Sequence, residues 1–177
     1  MTATVFRHEG VFDARTKSNR ALRFVHKYFS DVTSSLALSY PDTQYYSPSA
    51  KFFDTKNRTY IGAKAIKKWM LELFSPFDKL SLDGMSFFVV EEDTEGEGGK
   101  LERAWTVNAE TMVGYYVKGD PEAILVPRLF VFVIKEGEMG EGWDGLQFFD
   151  VKLYWDTALL LDEIKRRKVA KQEGVSV

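Results

Sequence analysis

The sequence predicts an α+β domain: a strongly curved, mostly antiparallel sheet wrapped around N-terminal helices, with a pocket in the hollow. Three observations point there. Residues 17–33 place apolar side chains at three- and four-residue spacing. The stretch FFDTKNRTYIGAKAIKKWMLEL, residues 52–73, reads as strand, turn, short strand and amphipathic helix in immediate succession. Beyond it, to about residue 156, the chain is strand-like, and one more helix closes it. A long helix before the 52–73 unit and only strands after it describe a sheet curled around its own helices.

Composition sets the frame. The 177 residues suit one domain with a full core. The net charge of -2 gives no pull toward nucleic acid or an anionic membrane, and neither is expected as a partner. With no cysteine, disulfides, thiol nucleophiles and thiolate metal sites are excluded. The two histidines, His8 and His26, are too few for a multi-histidine metal centre. The first twenty residues lack the apolar run of a signal peptide, and no apolar stretch reaches membrane-spanning length, so a cytoplasmic protein is expected. The 14 Phe, 8 Tyr and 4 Trp suit a thick core, a lined cavity or an oligomer interface.

Taken in order, residues 1–16 read as a tail with two apolar points, Val5-Phe6 and Val11-Phe12. Residues 17–162 form the folded domain. Its first helix starts at Lys17 with Ser18 as cap and buries Ala21, Leu22, Val25, Tyr28, Phe29 and Val32. A short helical piece is expected at 34–39, before Pro41. Strands at 50–54 and 58–61 make a hairpin around Thr55-Lys56-Asn57. Gly62 frees the chain to turn, and a helix over 63–74 buries Ile66, Met70, Leu73 and one edge of Trp69. Four strands follow, at about 80–91, 101–117, 124–135 and 146–156, with glycine-rich tips at 93–100 and 136–145. A closing helix over 157–171 becomes charged, and 163–177 is its charged end and tail. The basic run within 163–168 fits a solvated helix C-terminus.

Two residues stand out chemically. Asp54, at the end of an apolar strand beside Phe52 and Phe53, could have its charged form disfavoured and act as a general base. The plainer reading is a turn aspartate accepting backbone N–H groups, a common role for the residue. Arg128 sits in LVPRLFVFVI, a run apolar on both faces. Strand alternation puts it on one face with Phe130, Phe132 and Ile134. A buried guanidinium there needs a carboxylate partner, with Asp54 the natural choice, or an anionic ligand; a structural ion pair or a reach to water at the sheet edge are the alternatives. Trp105, Val107, Ala109, Thr111 and Val113 are assigned to the interior, with Thr106, Asn108, Glu110 and Met112 outward. Because the 125–134 run is apolar on both sides, its outer face is expected to be covered by a second copy, giving a homodimer, or else by the chain's own tails.

The helix ALRFVHKYFSDV, the strand FFDT, the stretch TYIGAKAIKKWM and the last strand LQFFDVKLYWDT together resemble the nuclear-transport-factor-2-like superfamily, in its SnoaL-like branch, over about residues 19–161. The resemblance implies a cone: helices packed inside a curved sheet, with a pocket at the open end. It implies binding of a small, largely apolar molecule, with cofactor-free isomerase, dehydratase or cyclase chemistry, or the same scaffold used as a non-catalytic binding or dimerisation module. Fold alone does not choose between these. By position, Asp54 takes the place of the aspartate base of ketosteroid isomerases and Tyr28 that of their first-helix tyrosine. Their second oxyanion donor, a protonated acid, falls near Arg128. Arg103 can stand for the arginine of limonene-epoxide hydrolases, but their aspartates fall on Trp105 and Leu153. Scytalone dehydratases use two histidines, and only His26 lies outside the tail. Each known catalytic set is thus incomplete here. The catalytic candidates are Asp54, Tyr28 and Arg128, and the pocket wall is expected to draw on Tyr46, Tyr60, Trp69, Trp105, Phe130 and Leu153.

Overall fold

The computed structural model describes residues 3–95, 101–137 and 140–172. Seven strands form one sheet: β1 (Thr4–Glu9), β2 (Tyr46–Phe53), β3 (Thr59–Ile61), β4 (Phe77–Glu95), β5 (Leu101–Val117), β6 (Ala123–Glu136) and β7 (Leu146–Trp155). Their spatial order is β1-β4-β5-β6-β7-β2-β3. Every neighbouring pair is antiparallel except β2 with β7, which is parallel. The helices are α1 (Ala14–Ser18), α2 (Arg20–Ser34), α3 (Ala63–Phe74) and α4 (Thr157–Gln172).

Curvature comes from breaks in the register of the long strands. β4 slips against β5 between Asp83 and Ser86, where Gly84 has a φ of 52° that a side chain would resist. An extra residue on one strand bends it and increases its twist. The concave face carries Trp105, Val107, Ala109, Thr111 and Val113 of β5 and Arg128, Phe130, Phe132 and Ile134 of β6, all buried. This is the alternation expected from the sequence. Helix α2 lies in the hollow with Leu22, Phe24, Val25, Tyr28 and Phe29 buried. Its rings pack on the sheet: Tyr28 meets Phe148 edge-on at 5.0 Å and Phe29 lies tilted against Phe130 at 5.6 Å, centroid to centroid.

Residues 3–16 are not a loose tail. β1 pairs with β4 from Thr4 opposite Glu91 to Glu9 opposite Ser86. Its inward residues are Phe6 and His8, and His8 lies over Phe87 at 6.5 Å. Phe12 continues the seal against Phe87 and His26, at 4.8 and 4.3 Å. One helix was expected from Lys17; the chain instead forms α1 and α2, broken at Asn19. Asn19 is extended (ψ 121°) and its side chain caps α2 by accepting from Leu22 N, so Ser18 is not the cap. No helix forms at 34–39 because Leu38 has a φ of 49°, a left-handed conformation that ends a helix, while its side chain is buried.

β2 begins at Tyr46, four residues earlier than expected. Pro48, which has no N–H to donate, lies where the pairing with β7 shifts, between Tyr46 and Lys51. Gly62 caps α3 with φ 87°, and a side chain there would lie 3.0 Å from the Pro48 carbonyl oxygen. β4 starts at Phe77, whose buried ring is masked in the sequence by Asp78 and Lys79. The tip expected at 93–100 lies mostly outside the described residues.

α4 docks through buried Leu160 and through Arg167, which donates to the Glu122 and Ala123 carbonyls at 2.8 and 3.2 Å. No helix of the described residues is long and apolar enough to cross a membrane.

Candidate functional site: a cleft with a buried arginine

A narrow cleft opens between α2, α3 and the concave face of the sheet, with a cavity volume of about 40 Å³. Helix α2 contributes Tyr28, Phe29, Val32 and Thr33, and α3 contributes Trp69, Met70, Leu73 and Phe74. The sheet supplies Phe52, Leu80, Leu82, Val113, Arg128, Phe130 and Leu153. Of these, Thr33, Trp69, Leu73 and Leu82 are half-buried and mark the mouth, whereas the rest are buried.

The polar side chains of this wall are few. Thr33 Oγ1 donates to the Phe29 carbonyl at 2.8 Å, so it is spent on its own helix. The Tyr28 and Tyr46 hydroxyls share a hydrogen bond of 2.7 Å, and both reach Met70 Sδ, at 3.8 and 3.7 Å. Burial pushes the Tyr28 hydroxyl up to about 12, against smaller opposing effects of the Tyr46 hydrogen bond and the Arg128 charge. Burial and the neighbouring Tyr28 also push Tyr46 upward. Both are therefore neutral donors at physiological pH.

Arg128 is the unusual member. It is 6% exposed, and among the described residues no carboxylate lies within ion-pair distance of it. Its Nε and Nη2 have no hydrogen-bond partner. Two rings hold it: the guanidinium carbon lies 4.2 Å from the Trp155 ring centre and 4.8 Å from that of Tyr115. Burial lowers its proton affinity to about 9, which still leaves it cationic at neutral pH. Two adjacent hydroxyls are also orphaned, those of Thr111 and Tyr115. Thr111 is directly opposite Arg128 across β5 and β6, and Trp155 is opposite it across β6 and β7.

Asp54 is placed elsewhere. Its Oδ1 accepts from the Lys56 and Arg58 N–H groups at 2.9 Å each, and its Oδ2 accepts from the Tyr60 hydroxyl at 3.2 Å. This is the turn aspartate of the sequence alternatives. It is not on the cleft wall and makes no ion pair with Arg128, because the Thr55-Lys56-Asn57 turn folds back over its carboxylate. Tyr60 stacks on Trp69 at 4.9 Å, so the route from Asp54 to the mouth runs through two rings.

The cleft therefore gathers Tyr28, Trp69, Arg128, Phe130 and Leu153 from the expected set. Tyr46 stands behind Tyr28, Tyr60 behind Trp69, and Trp105 is buried with Arg20 over its ring at 5.8 Å. Arg103 is exposed and paired with Glu91 and Asp93, at 3.4 Å each. Sequence reading missed Tyr115, Trp155 and Thr111 as the setting of Arg128. Their placement follows from strand register, which no local pattern states. Among the described residues there is no group of three or more histidines and carboxylates that could hold a metal ion.

No family model matches the chain, and no curated protein matches it by sequence. Solved structures do. A candidate scytalone dehydratase from Novosphingobium aromaticivorans superposes with a TM-score of 0.53 at 12% identity, over 82% of this chain and 89% of that one. The chain has the nuclear-transport-factor-2-like fold. Two further similar structures are a candidate SnoaL-like polyketide cyclase from Shewanella putrefaciens and a hypothetical protein with a ketosteroid-isomerase-like fold from Catenulispora acidiphila. The first has a TM-score of 0.47 at 17% identity, over 89% of this chain and 99% of that one. The second, crystallised with trimethylamine, has a TM-score of 0.46 at 12% identity, over 76% of this chain and 88% of that one. At such identities the likeness concerns the fold alone.

Proposed function

We propose that the protein binds a small, largely apolar molecule in the cleft between α2, α3 and the concave face. The observation that carries this is the wall itself: apolar from Phe29 to Leu153, open at one side, and broken by few polar groups, of which Tyr28 and Arg128 lie deep. Small-molecule sites have this make-up, a greasy enclosure with a few placed polar groups. Native mass spectrometry of the purified chain, followed by calorimetric titration with small aromatic compounds, tests it. Leu82→Trp, at the mouth, is expected to abolish uptake without lowering the melting temperature. Uptake unchanged by the blocked mouth removes the reading.

A catalytic version has one specific support. The Tyr28 hydroxyl from α2, backed by Tyr46, and the Arg128 guanidinium from the sheet both line the cleft, and together they could stabilise negative charge developing on a bound enol or alkoxide. That fits cofactor-free isomerisation, dehydration or cyclisation. Asp54 is not on the described lining, which holds no carboxylate or histidine, so a base for this chemistry is not assigned. Turnover of a bound compound, lost in Tyr28→Phe, would establish it; binding without turnover leaves the non-catalytic module.

The homodimer belongs to the same proposal, and so does a cytoplasmic setting, which a cysteine-free chain suits. The outer sheet face exposes Phe88, Leu125 and Tyr154 beside half-buried Leu129, Val131 and Val133. Light scattering is expected to give twice the 20.3 kDa chain mass, returning to one chain in Leu129→Glu.

A further inference from the structure

We infer that the ligand of this cleft is an anion: a flat apolar molecule bearing a single carboxylate or comparable oxyanion, bound by Arg128. The inference rests on the binding reading above and names the chemistry of its ligand. Nε and Nη2 are the two nitrogens that share one edge of a guanidinium. That edge presents parallel N–H groups at the spacing of two carboxylate oxygens. In this protein both atoms of that edge are orphaned, on a side chain 94% removed from solvent, which the 6% exposure of Arg128 states. A buried cation is ordinarily held by a carboxylate of its own chain. Here Trp155 and Tyr115 fix the guanidinium through their ring faces and leave its hydrogen-bonding edge unused.

The surroundings agree. The Thr111 and Tyr115 hydroxyls, on the same sheet face as Arg128, are also buried without partners, but neither residue is on the cleft lining, so Arg128 is the group that meets the ligand. The rest of the wall, from Phe29 and Phe130 to Leu153, Leu80 and Trp69, offers hydrocarbon and ring surface to the body of the ligand. A second anionic group would meet no cation, because Arg128 is the one charged side chain of the described lining. A doubly charged or sugar-like ligand is therefore disfavoured.

The test compares 2-naphthoate with 2-naphthamide, and benzoate with benzamide, by calorimetry on the full chain. The carboxylate is expected to bind about tenfold or more tightly than its amide, as a charge-assisted two-pronged contact implies. In Arg128→Met the preference should fall to about twofold or less, and Arg128→Lys, which keeps the charge but not the fork, should lie between. Equal binding of acid and amide overturns the inference while leaving the apolar-binding reading in place. A preference that persists in Arg128→Met overturns it as well. Failure of all four compounds to bind removes both. The wild-type comparison decides even where a variant does not fold.

Discussion

Tyr28 on α2 and Tyr46 on β2 are joined by a hydroxyl-to-hydroxyl hydrogen bond of 2.7 Å in the interior, with Met70 Sδ as a weak third member. The bond ties the helix in the hollow to the strand that runs parallel to β7. Removing either hydroxyl strands the other away from water. Tyr28→Phe and Tyr46→Phe are each expected to lower stability by about 1–2 kcal/mol. The double variant should lose less than the sum by about 0.5 kcal/mol or more, because no orphan is left. Urea unfolding of the four proteins measures both quantities.

The same pair makes the fold sensitive to alkali. Both hydroxyls are held neutral by burial, Tyr28 up to about 12 and Tyr46 also above its ordinary value of 10.0. In the unfolded chain they ionise at the ordinary value, so above it the unfolded state binds fewer protons and gains on the folded one. The contribution is whole below pH 10 and lost as pH rises through about 12. Melting temperature should fall across that window in the wild type, and less steeply in the double phenylalanine variant. Phenolate absorbance followed alongside should rise together with unfolding.

Asp54 offers a test of the turn role against the base role. Its carboxylate organises the hairpin between β2 and β3 through two backbone N–H groups and Tyr60. Asp54→Ala should cost about 1–2 kcal/mol, as loss of a capping-type carboxylate does, with Asp54→Asn milder because its carbonyl still accepts. Ligand affinity should change by no more than about twofold in Asp54→Asn, since the residue does not line the cleft. A large loss of affinity with stability intact would return Asp54 to the site.

At the other end of the chain, Glu163 accepts from Arg166 and Arg167, and these bonds hold its carboxyl down to about 2. Arg167 in turn grips the start of β6 and pairs with Asp120 at 3.3 Å. A depressed carboxylate stabilises above its ordinary value of 4.5 and loses that contribution as pH falls toward 2. Amide exchange in α4 should accelerate over that window, ahead of the core strands. Glu163→Gln should show the faster exchange already at neutral pH with little change in global melting.

Elements with local causes could be read from the chain. α3 between Gly62 and Ser75 came out as expected, because a positive-φ glycine and a proline bracket a periodic apolar run. β5 did so because its alternation is unbroken from Trp105 to Val113. What escaped has non-local causes. β1 is a strand because β4 leaves an edge open beside Phe87. The buried side chain of Leu38 holds a backbone conformation that its neighbours would not choose. The face of Arg128 followed from simple alternation, but its lack of a carboxylate partner did not. The expected pairing with Asp54 assumed proximity across the fold, and the turn had already claimed that carboxylate.

β1 also guards the sheet. The opposite border is β3, only three residues long, and β1 covers the Ser86–Glu91 part of β4 on this side. Trimming the protein to residue 10 would unzip the Ser86–Glu91 border of β4 and bare Phe87 beside it. A shortened expression form should accordingly clump, although every residue of the cleft would still be present.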